Sequence, residues 1–218
     1  MQLSPEQIET LFAFTRKKYV HWYDLQAELV DHLASRIEEE CSKDSTLRFE
    51  AALRNVYAGF GLFGFAHIVQ EKESQLRRSS RKLWWRTFRA YFGLPHVVLV
   101  VASVVLLWQI AHLLPVLPAL LIILVPYAYT QVRLLGLQRE RRKMQRPLLL
   151  LELSPLRYTA SFLAFQFLIN SARWTPNGLF VLGILVLLCF LSDLAAMRAH
   201  LRVRAEAEAL YPEAFAEA

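Results

Sequence analysis

The feature that most constrains this chain is the separation of its charged residues from its longest apolar runs. Residues 1–80 are rich in acids and bases, whereas residues 94–197 hold several stretches long enough to cross a bilayer. A basic and aromatic belt joins them, carried by Arg77, Arg78, Arg81, Lys82, Trp84, Trp85 and Arg86. The net formal charge is −2 over residues 1–80, +9 over residues 81–157 and −1 over residues 158–218. Positive charge is thus concentrated beside the apolar segments. A pI near 9.5 would by itself fit nucleic-acid binding. This distribution favours membrane lipid as the partner instead, and no direct nucleic-acid contact is expected.

The apolar half divides into four expected spans. Leu94–Leu114 carries no formal charge and makes ~31 Å of helix at ~1.5 Å per residue, which matches the hydrocarbon core. Pro115 and Pro118 bracket a short turn, and Val116–Leu135 returns with Pro126 inside it. Leu156–Thr175 is a more polar third span and Gly178–Met197 a strongly apolar fourth. Parity supports counting all four. The basic clusters 77–89, 139–146 and 198–204 then share one side, as the positive-inside rule requires. The expectation is a multi-pass protein of a bacterial inner membrane with both termini cytoplasmic. The opening MQLSPEQIET lacks the pattern of a secretory signal.

Thr159, Gln166, Asn170 and Arg173 form one stripe on the third span. Amides on a spanning helix face other helices, where they hydrogen-bond, so packing is the first reading and a transport pathway the second. Asp193, about a turn inside the cytoplasmic end of the fourth span, is expected to pair with Arg198 or meet water.

In the first 80 residues, Ser4-Pro5-Glu6-Gln7 marks a helix start, with Ser as cap and Gln three residues on. Leu25, Leu29, Leu33 and Ile37 give a second helix, over Trp22–Cys41, an apolar stripe that needs a partner. Phe49, Leu53, Val56 and Phe60 mark a third. Residues 59–64 read Gly-Phe-Gly-Leu-Phe-Gly, formally a dinucleotide-binding fingerprint. That chemistry requires a preceding strand, and a helix is expected here, so the glycines are read as helix stop and turn. A fourth helix from Phe65 is expected to run through Trp84 and Phe92 into the first span. The resulting fold class is all-α: a cytoplasmic helical domain (1–76), a juxtamembrane helix (77–93), a four-helix transmembrane bundle (94–197) and a tail (198–218).

Chemistry-bearing residues concentrate on the second helix, in His21, Asp24, Glu28, Asp31 and His32. Glu28 and His32 are four apart and share a face. His21, Glu28 and His32 could be drawn as metal ligands, but such a site wants three or four convergent groups, so no metal and no cofactor is expected. Glu–His pairing or capping of neighbouring helix ends is the simpler use. No nucleophile or pocket can be named for catalysis.

The run Tyr23-Asp24-Leu25-Gln26-Ala27-Glu28-Leu29-Val30-Asp31-His32-Leu33-Ala34 resembles a segment of uncharacterised Bacteroidetes four-helix membrane proteins. Over residues 5–75 the chain is more distantly similar to the helical signalling domain associated with PadR-like regulators. In that resemblance Asp24, Glu28 and His32 are followed by Glu50-Ala51-Ala52-Leu53, the Gly59–Gly64 turn and a closing helix at Phe65-Ala66-His67-Ile68-Val69. It implies a cytoplasmic protein-binding domain on a membrane bundle that senses, anchors or both, with Asp24, Glu28, Asp31 and His32 as partner-binding candidates. Non-enzymatic signalling is therefore the leading expectation. A small transporter or transporter accessory subunit built on the 159–173 stripe is the alternative, and a metal-dependent enzyme the third.

Overall fold

The computed structural model describes residues 2–44, 46–61, 63–157 and 175–216, and among them every regular element is helical. The chain divides into two compact units. One comprises Met1–Arg77, Met144–Glu152 and Ala207–Ala218, the other Arg78–Lys143 and Leu153–Glu206.

The first unit begins with α1 (Pro5–Lys17), which starts as the sequence predicts. Ser4 Oγ accepts from Gln7 N at 3.3 Å, and Gln7 Oε1 accepts from Ser4 N at 2.8 Å, so two otherwise unpaired N–H groups are satisfied reciprocally. The second helix, α2, runs Tyr23–Lys43, and its Leu25, Leu29, Leu33 and Ile37 are all buried. Each contributes roughly 1.5–3 kcal/mol relative to an exposed side chain. The short α3 (Phe49–Ala58) buries Ala52, Leu53 and Val56. Beyond it Gly61 and Gly64 take φ values of +74° and +51°, a turn that follows a helix and not the strand a dinucleotide-binding fingerprint needs. A Cβ on Gly64 would strike the Tyr57 phenol. That ring sits in an edge-to-face cluster with Phe14 (5.1 Å) and Phe65 (5.2 Å).

The helix α4 spans Ala66–Arg89, and the boundary between the units falls inside it. It does not continue into the first span, contrary to the sequence expectation. A 3-10 turn at Ala90–Phe92 ends at Gly93, whose backbone is extended, and α5 starts only at His96. Pro95 explains the break: it has no N–H to give a preceding turn, and its ring disfavours helical geometry at Leu94.

Among the described residues, three helices are long and apolar enough to cross a membrane, namely α5 (His96–Leu113), α6 (Val116–Arg142) and, after the four-residue α7 (Leu149–Glu152) of the first unit, α8 (Pro176–Leu210). α6 passes through Pro126 and runs into the basic cluster, seven residues beyond the expected Leu135. α8 makes ~53 Å of helix against ~30 Å of hydrocarbon, so much of it extends past the apolar window. Ile110 and Ala111 of α5 pack with Ala119 and Ile123 of α6 and with Leu179, Leu182 and Val186 of α8. Gly183 lets α8 approach α5 closely, since a Cβ there would stand 3.1 Å from Leu107. Residues 158–174 of the expected third span, including Thr159, Gln166, Asn170 and Arg173, lie outside the described residues.

Candidate functional site

The α2 cluster picked out by sequence separates into different jobs. Asp24 is buried, and its carboxylate is a backbone acceptor. Oδ1 accepts from Leu25 N (3.0 Å) and Leu149 N (2.9 Å), and Oδ2 accepts from Leu150 N (2.9 Å). The carboxylate thus caps α7, a segment 125 residues away in sequence. Burial raises the Asp24 carboxyl above its usual value, outweighing the backbone N–H donors, Leu149 foremost, that pull it down. Tyr23 N donates to the Pro147 carbonyl (2.8 Å), Trp22 Nε1 donates to Glu152 Oε2 (2.6 Å), and the Arg146 guanidinium lies over the Tyr23 ring. The N-terminal end of α2 is therefore a socket for residues 146–152. The C-terminal tail joins the same unit, with Tyr211 edge-on to Tyr23 at 6.3 Å. Burial, and then the Asp24 and Glu28 carboxylates, push the Tyr211 phenol upward.

Glu28 pairs with Lys72 of α4, while Asp31, His32 and His21 are exposed. Among the described residues no three His, Cys, Asp or Glu side chains come together as a metal-binding group. His21 instead meets the edge of Trp22. Of the four partner-binding candidates, Asp24 is committed inside the unit and Glu28 to an ion pair. Asp31 and His32 present open side chains.

A feature that sequence reading missed lies around Tyr19. An open groove of about 590 Å³ is lined by Lys18, Tyr19, Trp22, Tyr57, Phe63 and Phe65, among others. Phe63 is 76% exposed and Tyr19 is 82% exposed. Tyr19 also takes a φ of +66°, the left-handed region that a side-chain-bearing residue occupies at a cost of roughly 1–2 kcal/mol. No local pattern announces this, because neither aromatic falls on a helical stripe. The signal available was two large aromatics in turn segments.

In the second unit, the polar groups on the apolar helices find each other. Asp193 of α8 is fully buried, and Gln131 Nε2 of α6 donates to its Oδ2 at 2.5 Å. Arg198, a partner expected from sequence, lies over the Tyr91 ring instead, 5.2 Å from its centroid. Two turns beyond Asp193, His200 Nδ1 lies 3.0 Å from Ser154 Oγ, and a turn further Arg204 pairs with Glu140 of α6 at 2.9 Å. The need for an acid on a buried face to have a donor could have pointed to Gln131, the nearest amide on a neighbouring span.

The belt resolves into two sets. Arg77 pairs with Glu73 at 2.9 Å within the first unit. In the second, Trp84 turns inward and donates through Nε1 to the Ser192 carbonyl at 3.3 Å. Arg78, Arg81, Lys82, Trp85 and Arg86 are exposed.

No protein-family model, curated protein or solved structure matches this chain.

Proposed function

We propose that this is a non-enzymatic signalling or regulatory protein of a bacterial inner membrane, whose helical extramembrane unit docks a protein partner. The observation that carries the reading is the aromatic groove bounded by Tyr19 and Phe63. Large aromatics left in water on a unit that otherwise buries its apolar stripes are characteristic of an interaction surface. The left-handed Tyr19 adds to this, since no packing of its own ring offsets the backbone cost. The resemblance to a PadR-associated signalling domain over residues 5–75 points the same way.

The membrane arrangement that goes with it has four spans and both termini cytoplasmic. Its support is the direction of the helices. Ala119 and Ile123 meet the start of α8, Gln131 meets Asp193 and Glu140 meets Arg204, so α6 and α8 run parallel. Two parallel spans require the chain between them to recross the bilayer, and residues 156–175 are the apolar stretch available for that return.

The test is site-specific photo-crosslinking in intact membranes, with a photoreactive residue at position 63 of the full chain. A discrete protein adduct, lost on Tyr19→Ser while the chain stays inserted, is the expected result. If position 63 yields no adduct while probes at Asp31 or His32 do, docking belongs to the α2 face and the groove reading fails.

A further inference from the structure

We infer that the outward face of α4 between Arg78 and Arg89 docks the headgroups of anionic phospholipids. This stretch lies within the second unit and has two unlike faces. Thr87 is buried, and Trp84 and Phe88 pack with Tyr91 against Leu191 and Ala195 of α8. Trp84 stacks on Phe88 at 5.4 Å and is tied to α8 by its indole hydrogen bond. That pins the rotation of the helix. The face left outside then holds Arg78, Arg81, Lys82, Arg86 and Arg89, all exposed and spaced three, one, four and three residues apart, as one helical stripe ~17 Å long.

No acidic residue occurs between Arg78 and Arg89. Among the described residues none of these five cations meets a carboxylate, whereas Lys43, Lys72, Arg77 and Arg204 each do. Like charges three and four apart on a helix repel one another, so the stripe calls for counter-charge from outside the chain. A bilayer surface fits better than an acidic protein or a nucleic acid. Trp85 is 49% exposed among the cations and Phe92 44% exposed just beyond them, the composition of a headgroup-level surface. The apolar helix α5 also begins seven residues after Arg89, which keeps the stripe next to the membrane. The structure thus redraws the belt seen in sequence. Arg77 and Trp84 leave it, being turned to Glu73 and to α8, and Arg89 joins it.

Lipid docking here presupposes that α5 crosses a bilayer, which flotation of the full chain with vesicles tests separately; it does not depend on the Tyr19–Phe63 groove. The test uses the full chain purified in micelles containing equal phosphatidylcholine and phosphatidylglycerol, with retained lipid measured by native mass spectrometry. Wild-type protein should retain phosphatidylglycerol preferentially, and the preference should fall with salt. Arg81→Gln/Lys82→Gln/Arg86→Gln should weaken it about a hundredfold, at roughly fivefold for each cation near the surface. Should the triple variant fail to fold, Arg81→Gln and Arg86→Gln alone each should weaken it about fivefold, and Arg81→Lys/Arg86→Lys should preserve it. Three results overturn the inference: no phosphatidylglycerol preference in the wild type, an unchanged preference in the Gln variants, or a stripe that captures an acidic protein while its lipid retention is unmoved.

Discussion

Replacing Asp24 gives the sharpest test of how the first unit is held together. Its two carboxylate oxygens serve different amides, Oδ1 accepting from Leu25 and Leu149 and Oδ2 from Leu150. Asp24→Asn therefore keeps an acceptor for the first two and presents an N–H₂ group to the third, which loses one charge-assisted hydrogen bond. Such a bond is worth about 1.5–3 kcal/mol. Local opening of residues 149–152 should become easier by that amount, and amide hydrogen exchange at Leu150 in the full chain should quicken roughly 10- to 150-fold. Asp24→Ala removes both acceptor oxygens and should expose Leu149 to exchange as well. The pH dependence adds an independent readout. Burial raises the folded-state carboxyl above its unfolded value, so in the window just above the ordinary carboxylate range the folded chain binds more protons than the unfolded one. Stability contributed by Asp24 is then greatest below that window and declines as pH rises through it. The gap between wild type and the non-titrating Asn variant should narrow with rising pH. A gap that widens would mean that the three N–H donors outweigh burial, and unchanged exchange at Leu150 would remove Asp24 as the cap of α7.

Two further substitutions separate local from long-range causes. Gly64→Ala should destabilise the first unit by about 2 kcal/mol or more, because its positive φ and the Tyr57 phenol both oppose a Cβ, whereas Gly61→Ala has open space and should cost only about 1 kcal/mol; chemical denaturation of the two variants side by side checks the difference. Gln131→Leu removes the amide donor to Asp193 and should destabilise the second unit by about 1–3 kcal/mol, read as a lowered thermal midpoint in lipid nanodiscs. An unchanged midpoint would assign the holding of Asp193 to its other contacts.

Some of this was legible in the residues themselves. The Ser4–Gln7 capping box, the buried stripe Leu25–Ile37 and the glycine turn after α3 all formed as read, because each depends on periodicity or on hydrogen bonds spanning a few residues. The apolar helices were equally plain, since their length and lack of charge are local properties. The break before α5 was signalled too, by Gly93 and Pro95, but the unbroken aromatic and apolar character from Trp84 into α5 hid it. What periodicity could not supply was partner identity. Nothing near Asp24 names Leu149 or Leu150, nothing near Glu28 names Lys72, and nothing near Asp193 prefers Gln131 over Arg198.

The division between the two sources follows from the range of the forces. By itself the amino-acid order determined the helical elements and the apolar length of α5, α6 and α8 that suits a membrane, because helix signals and apolar length are read along the backbone. Only the tertiary structure decided which face each helix turns inward. It placed Trp84 against α8 and left Arg81 and Arg86 outside, and it spent Asp24 on a distant helix end while Asp31 stayed open. Buried polar groups must find donors or acceptors wherever the packed chain brings them. That requirement is met across 62 residues for Gln131 and Asp193 and across 125 for Asp24 and Leu149, distances at which a sequence pattern carries no directional information.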